Sequence, residues 1–436
     1  ICKHYGSLSA MFKKQSSFVF VLHASLAAFG TYFCMYAFRK PFTVATFEGL
    51  SYIGVDYKIL LIIAQVLGYA LSKFIGIKVI SELKPNRRLL FLISLILFAE
   101  VALLFFAWVP APYNIAFMFL NGIPLGMIWG IVFSYIEGRR FTDILGVALC
   151  ASFIVSSGVV KSLGLYVMNF WGVSEFWMPS VTGALFVVPL LLSSFLLQKV
   201  PPPTTSDKEL RTERVPMTSS DRKQLIKKFF FPLLLVVIFY TFLTAFRDFR
   251  DNFARELWDS VGYQGDISVF STSEIIIAIS VLLIIGSIFY IKDNLRALLT
   301  YHLLLILGTL VLGLSTLMFQ IGVLDSFLWM VCTGFGLYIC YVPFNCLFFD
   351  RFIAAFKIKG NSGFLIYIAD AFGYVGSVLV LLYKNFGQAN LSWLNFFVYG
   401  TYAVALIGIT VSLVLFFHFW ARHKSEKHNE QLTYGQ

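Results

Sequence analysis

About twelve apolar segments follow one another along the 436 residues, and short charged stretches separate them. Each segment has the length, roughly twenty residues, that a helix needs to cross the hydrocarbon core of a bilayer. Backbone polar groups cannot stay unpaired in hydrocarbon, so each segment must be helical. The predicted spans are residues 18–44, 57–80, 88–110, 113–136, 143–168, 177–199, 229–249, 268–291, 296–319, 325–350, 361–384 and 391–420. The sequence therefore predicts an all-α integral membrane protein.

The composition excludes a water-soluble globular protein, because 58% of the residues are hydrophobic and only 13% are charged. A net charge of +11 raises nucleic-acid binding as an alternative. However, most of the 34 Lys and Arg residues lie in the two terminal segments and in the even-numbered loops. Since Lys and Arg in loops favour the cytoplasmic side, the sequence predicts cytoplasmic termini and no nucleic-acid partner.

A polar stretch in the middle of the chain divides the spans into six and six. It begins with three consecutive prolines, has mixed charge and lacks apolar periodicity, which is typical of a linker. The predicted organisation is a cytoplasmic N-terminus (1–17), a six-helix bundle (18–199), a cytoplasmic linker (200–228), a second six-helix bundle (229–420) and a cytoplasmic tail (421–436). Residues 1–10, which precede a start-like Met11, are expected to be an extension outside the fold, and no cleavable signal peptide is predicted.

The two halves share short sequence patterns. MYAFRKPF places Arg39 near the end of the first span, and LTAFRDFR places Arg247 near the end of the seventh. Two glycine-containing turns are predicted at equivalent places, GIPLGMIWG in the fourth span and GFGLYICYVPFN in the tenth. Two similar halves predict a transporter built from repeats around a site near the membrane midplane.

The first span carries polar side chains on one face. Tyr32, Tyr36 and Arg39 are spaced four and three residues apart, so they share one face of a helix, and Lys40 follows immediately. Ionisable groups in a span are costly when they face lipid, so they usually face a cavity or a partner. For Arg39 and Lys40, snorkelling to the outer interface is an equally weighted alternative.

The second span repeats this pattern more deeply. Gln65, Tyr69 and Lys73 recur every four residues. Snorkelling explains a lysine so far inside an apolar helix poorly. We therefore predict that Lys73 faces a cavity.

The seventh span ends in AFRDFRDNFARELWD. Arg247 and Asp251 are four residues apart and are predicted to pair, whereas Asp248 and Arg250 are expected to point elsewhere. The residues after Asp251 are expected to form a solvated outer helix or loop.

Four further ionisable groups lie in spans without an obvious partner: Glu100, Lys161, Glu274 and Asp370, the last with Tyr374 four residues on. Asp251, Glu274 and Asp370 are candidate coupling or salt-bridge residues. Each carboxylate is either a proton site or a fixed ion-pair partner, and the sequence leaves both open.

Two arginines from opposite halves, with a lysine between them, indicate an anion site. A guanidinium fork matches phosphate and carboxylate oxygens and stays charged when partly desolvated. Phosphate is the better geometric fit and carboxylate the second. The chain has no nucleophile–base pair, phosphate-binding glycine loop or metal-ligand spacing, so no enzyme, cofactor or metal is predicted.

At these residues the chain resembles the major facilitator superfamily, and within it the organophosphate:phosphate antiporters, and it is similar to a poorly characterised Bacteroidetes-type subgroup. FGTYFCMYAFRKPF resembles the family's first helix, YALSKFIG its second and GIPLGMIWG its fourth. The resemblance implies a substrate site whose members are Tyr32, Tyr36, Arg39, Lys40, Tyr69, Lys73, Arg247 and Tyr374, with Glu274 as the eighth-helix glutamate. It implies two pseudo-symmetric six-helix bundles and a bacterial inner (plasma) membrane location.

Three departures from the family pattern concern the substrate and its coupling. SELKPNRR replaces the usual Asp-Arg loop after the second helix, the fifth-helix histidine has no counterpart, and the seventh-helix acidic partner is displaced to Asp251. The leading hypothesis is a monomeric secondary transporter that moves a small phosphorylated or otherwise anionic metabolite by alternating access, with exchange for phosphate left open. The alternatives are a proton-coupled carrier of a non-phosphorylated substrate and a metabolite sensor that does not transport.

Overall fold

The structure of the protein, a computed structural model, describes residues 2–137, 139, 141–202, 204, 219–356, 358, 362–388 and 390–434. Within them, twelve helices are long and apolar enough to cross a membrane, as predicted. In chain order they are α1 (Cys2–Met35), α2 (Tyr57–Glu82), α3 (Arg88–Trp108), α4 (Ile115–Ile136), α5 (Thr142–Trp171), α6 (Met178–Gln198), α7 (Phe230–Asn252), α8 (Ser268–Ser287), α9 (Asn294–Gln320), α10 (Ser326–Cys346), α11 (Ser362–Leu382) and α12 (Trp393–Tyr434). The chain is an integral multi-pass membrane protein.

The first helix differs from its prediction at both ends. It begins at Cys2, so the described residues before Met11 are helical and continuous with the first span. It ends at Met35, and two short 3-10 turns follow, Tyr36–Phe38 and Pro41–Val44. Pro41 has no N–H to bond a carbonyl four residues earlier, so a regular α-helix cannot run through it, and it begins the second turn instead. Arg39 and Lys40 therefore lie between two turns and not on a continuous helix.

Short elements connect the spans. A two-stranded antiparallel hairpin, Ser51–Tyr52 with Val55–Asp56, precedes α2. Short helices run over Ser219–Lys228, Ala254–Ser260 and Phe348–Ala355. Of the predicted linker, residues 203 and 205–218 lie outside the described residues.

The segment after Asp251 is not the solvated element that the sequence predicted. It forms the helix Ala254–Ser260, and its Ala254, Leu257 and Trp258 side chains are buried. Leu257 and Trp258 lie three and four residues after Ala254, so the three share one side of this helix. The segment therefore has one apolar face, which packs onto the protein.

Helix packing follows the same rules in both halves. In the first half α1 packs on α5, α2 on α4, and α3 on both α4 and α6. Adding six to each number reproduces the contacts of the second half, α7 on α11, α8 on α10, and α9 on both α10 and α12. The halves meet where α5 packs on α8 and where α2 packs on α11. These two contacts are equivalent, because exchanging the halves turns α5 into α11 and α8 into α2. The protein therefore consists of two pseudo-symmetric six-helix bundles.

Glycines permit the closest of these contacts. The predicted glycine turn in the fourth span is instead part of helix α4, where a Cβ at Gly122 would lie 2.2 Å from the Gln65 carbonyl oxygen of α2. Between the halves, a Cβ at Gly158 of α5 would lie 2.2 Å from the Phe270 carbonyl oxygen of α8. Both contacts are shorter than any real Cβ contact, so these positions require glycine for the observed packing.

Candidate functional site

A small cavity of about 20 Å³ lies between the two halves. One half contributes residues from α1, α2, α4 and α5 with the turns after α1, and the other contributes residues from α7, α10 and α11. Its lining consists of Tyr32, Tyr36, Arg39, Tyr69, Lys73, Trp129, Phe153, Arg247, Tyr341, Asn345, Asp370 and Tyr374. Seven of the eight residues predicted to bind substrate, and one of the three predicted coupling residues, lie around this space.

Arg39 is a buried guanidinium without a carboxylate partner among the described residues. Its side chain is only 5% exposed, and its Nε has no hydrogen-bond partner within the described part of the chain. The guanidinium carbon stands 4.0 Å above the ring centre of Tyr69 and 5.7 Å from that of Tyr36. Its backbone carbonyl accepts a 3.0 Å hydrogen bond from Gln65 Nε2, which holds the break after α1 against α2. The guanidinium of Arg39 thus reaches the cavity with two aromatic rings beside it and no ion pair to a described carboxylate.

Arg247 occupies the corresponding place in the other half. Its guanidinium carbon lies 4.1 Å above the ring centre of Tyr341, and its NH2 lies 2.6 Å from Asp248 Oδ1. Ser377 donates a 2.9 Å hydrogen bond to Asp248 Oδ2. The predicted pairing of Arg247 with Asp251 is therefore wrong, as is the expectation that Asp248 points elsewhere.

Lys73 and Asp370 pair across the two halves. Lys73 Nζ lies 3.2 Å from Asp370 Oδ2, and Tyr240 donates a 2.5 Å hydrogen bond to Asp370 Oδ1. Asn345 lies beside the same tyrosine, with its Nδ2 3.3 Å from the hydroxyl. Asp370 therefore has an ion-pair partner in this structure, and a role in proton transfer stays a prediction.

Aromatic rings form most of the remaining wall. Tyr32 lies 5.7 Å from Tyr36 and 5.2 Å from Trp129, centre to centre. Tyr69 meets Tyr374 of the other half at 4.8 Å. These contacts place the four predicted tyrosines around one space, as their helical spacing suggested for each helix separately.

Lys40 is not among the lining residues. Its Nζ donates to Asn252 Oδ1 at 2.7 Å and forms an ion pair with Asp251. Lys161 binds the same carboxylate, which also accepts a hydrogen bond from Ser157. Asp251 thus joins α7 to two lysines of the other half.

The remaining predicted carboxylate, Glu274, is also away from the cavity. Arg250 NH1 lies 2.6 Å from Glu274 Oε1, and Arg250 NH2 donates a 3.1 Å hydrogen bond to the Met330 carbonyl. Both residues belong to the second half. Glu274 therefore supports the packing of α7 on α8 and α10.

Sequence reasoning missed several residues at the site. Trp129, Phe153, Tyr341 and Asn345 line the cavity, and Asp248 holds Arg247. The sequence offered a signal for Tyr341 and Asn345: Asn345 is a polar residue in an apolar span, four residues after Tyr341. Trp129 and Phe153 could not be recognised from the sequence, because aromatic residues are common throughout the chain.

Contacts between the halves close the cavity on both sides. On the side of the α1–α2 connection, Lys58 pairs with Glu256, and Arg255 donates to the Val44 carbonyl. On the side of the chain termini, Arg351 NH2 lies 3.2 Å from Asp143 Oδ2. A molecule held in this cavity would be enclosed by both halves.

Comparisons with known proteins show the family and the fold. Residues 41–422 match the model of a family of unknown function, DUF5690. No curated protein matches the sequence. A D-xylose-proton symporter has a similar structure with a TM-score of 0.58 at 16% identity, over 91% of this chain and 97% of that one.

The nucleoside transporter NupG is similar as well, with a TM-score of 0.57 at 15% identity, over 92% of this chain and 98% of that one. At such low identity these similarities show the fold alone, which is that of major facilitator transporters. The chain therefore belongs to the DUF5690 family and has the major facilitator fold.

Proposed function

We propose that this protein is a secondary transporter that moves a small anionic organic metabolite by alternating access. Three features support the proposal: the two pseudo-symmetric halves, the cavity between them and the ion pairs that close the cavity on either side. A substrate bound by both halves stabilises the closed state, and breaking the contacts of one side at a time would expose the cavity alternately. The proposal includes no catalytic reaction.

The observation that carries the anion assignment is the guanidinium of Arg39, which pairs with no carboxylate of the described residues. A buried charge without a counter-ion is costly, so such a group is expected to be compensated when its ligand is bound. Arg247 approaches the same cavity from the other half and offers a second fork. An anion between the two arginines would accept hydrogen bonds from Arg39, which lost its hydration on burial, and would connect the halves directly.

Two finer versions of this function differ in what drives transport. The resemblance to organophosphate:phosphate antiporters supports a phosphorylated metabolite that exchanges for phosphate. The carboxylate of Asp370, hydrogen-bonded by Tyr240 and paired with Lys73, supports a proton-coupled carrier of a non-phosphorylated anion. Exchange for internal phosphate needs no proton gradient, so flux measured with and without a pH jump distinguishes them.

Transport assays in proteoliposomes test the proposal. Purified protein is first screened by thermal shift against inorganic phosphate, glycerol 3-phosphate, glucose 6-phosphate and glucuronate, because a ligand of the folded state raises the melting temperature. Uptake of each radiolabelled hit is then measured for the wild type, Arg39→Lys and Arg247→Lys. Both variants should lose uptake, because an ammonium lacks the planar fork, whereas the same change at the exposed Arg296 should have no effect.

Unchanged uptake in both cavity variants would rule out the arginine pair as the substrate site. Binding without uptake in the wild type would instead favour a sensor.

A further inference from the structure

We propose that the substrate carries a single net negative charge when it is bound. This inference rests on the proposed function and adds the charge class of the substrate. It follows from the number of buried charges around the cavity and from how they pair.

Three cations and one carboxylate line the cavity, and a second carboxylate stands directly behind it. Asp248 balances Arg247, and Asp370 balances Lys73. Arg39 is left as the one lining cation without a carboxylate partner among the described residues. A proton shared within either pair does not alter this sum. The three lining cations and the two carboxylates therefore carry a net charge of about +1 together.

The nearest other charges, Lys40, Lys161 and Asp251, sum to one further positive charge, but it lies outside the cavity lining. Lys40 and Lys161 share Asp251, and both ammonium groups already bind this carboxylate. None of these three residues is a lining residue. A second negative charge on the substrate would reach the two lysines only by displacing Asp251, which would open a contact between the halves.

The energetic consequence follows from the enclosure of the site. A negative charge that loses water without gaining a cation is strongly disfavoured, whereas one that pairs with Arg39 is compensated. A monocarboxylate, a sulfate ester, a phosphodiester or a singly protonated phosphate ester meets this requirement. A doubly charged phosphate monoester does not.

Pairs of ligands that differ only in charge test the inference. Glucose 6-sulfate and glucose 6-phosphate have nearly the same shape, as do glycerol 3-sulfate and glycerol 3-phosphate, but at pH 7.5 the sulfates carry one charge and the phosphates about two. Affinity is measured on the purified full-length protein by calorimetry. In each pair that binds, the sulfate should bind the wild type about tenfold more tightly or better. Lowering the pH to 5.5 should strengthen phosphate binding and leave sulfate binding unchanged, because most of the phosphate dianion then takes up one proton and carries a single charge.

Two substitutions should weaken or cancel this preference. Asp370→Asn frees Lys73, and Asp248→Asn frees Arg247, so each adds one positive charge at the cavity. Either variant should gain about tenfold for the phosphate relative to the sulfate. Glu100→Gln is the matched control, because Glu100 is bound by Ser180 between α3 and α6, away from the cavity, and its preference should equal that of the wild type.

The possible outcomes separate this inference from the proposed function. Tighter binding of phosphate than of sulfate by the wild type would overturn the single-charge inference and leave an anion transporter intact. The same holds if the folded aspartate variants keep the wild-type preference. If no anion binds and Arg39→Lys changes nothing, both the inference and the proposed function fail. The wild-type comparison decides the question even if one aspartate variant does not fold.

Discussion

Replacing Arg39 by methionine should stabilise the ligand-free protein while it removes substrate binding. The charge of Arg39 is buried, and its partner is expected to be the substrate. Burying this charge therefore lowers the stability of the ligand-free protein. Arg250→Met is the matched comparison, because Arg250 is equally buried, at 3% exposure against 5% for Arg39, but has its carboxylate, Glu274, in the fold. The same substitution should therefore have opposite effects at the two arginines.

The expected magnitudes follow from the contacts of each guanidinium. Burying an unpaired ion costs several kcal/mol, and the stacking of Arg39 on Tyr69 returns about 2 kcal/mol. Methionine at this position should thus stabilise the empty protein by about 1–3 kcal/mol. Removing Arg250 leaves Glu274 without its cation, and breaking a buried pair costs about 3–5 kcal/mol.

Thermal unfolding of the ligand-free variants in one detergent and at one pH measures this difference. In chains of 150–250 residues, 1 kcal/mol corresponds to about 2–4 °C in Tm, and the shift is smaller in longer chains. Arg39→Met should melt a few degrees above the wild type, and Arg250→Met clearly below it. If both variants melt below the wild type by similar amounts, Arg39 has a compensating partner in the empty protein and the argument for an anion site fails.

Two further predictions concern the contact between the halves. Asp251→Asn removes the carboxylate that Lys40 and Lys161 share. It should lower the free energy of unfolding by about 3–5 kcal/mol and increase hydrogen exchange in the α1–α2 and α7–α8 connections. Unchanged exchange there would show that this contact does not hold the halves together. Gly158→Ala places a Cβ 2.2 Å from a backbone carbonyl of α8, so it should lower the free energy of unfolding by about 1–3 kcal/mol. Gly286→Ala, where a Cβ meets nothing within 4 Å, is its control and should change stability by about 0.5 kcal/mol or less, and equal effects at the two glycines would contradict the packing argument.

The pairing of charges was the least predictable part of the site. The spacing of four residues on α7 suggested that Arg247 pairs with Asp251, but two lysines of the other half bind that carboxylate. Arg247 instead pairs with the adjacent Asp248. A spacing rule for one helix describes only neighbours on that helix, and it contains no information about which residues of another bundle come close.

The position of Arg39 shows the same limit within one segment. Helical spacing predicted that Arg39 shares a face with Tyr32 and Tyr36, and all three do line the cavity. The helix nevertheless ends at Met35, and the break before Pro41 directs Arg39 into the cavity and Lys40 to Asp251. Residues adjacent in sequence thus serve different contacts, which helical spacing alone did not reveal.

The sequence by itself determined that the chain crosses the membrane twelve times as helices, because a backbone in hydrocarbon has to satisfy its own hydrogen bonds and segment length and apolarity then suffice. It also indicated the arginines, the deep lysine and the tyrosines as candidate site residues, because polar groups in apolar spans are costly and therefore conspicuous. Only the tertiary structure decided which charges are neutralised, since Lys73 meets Asp370 and Asp251 meets Lys40 solely through the packing of one bundle on the other. That Arg39 meets no carboxylate within the described part of the chain is a property of this packing, and it carries the proposed function.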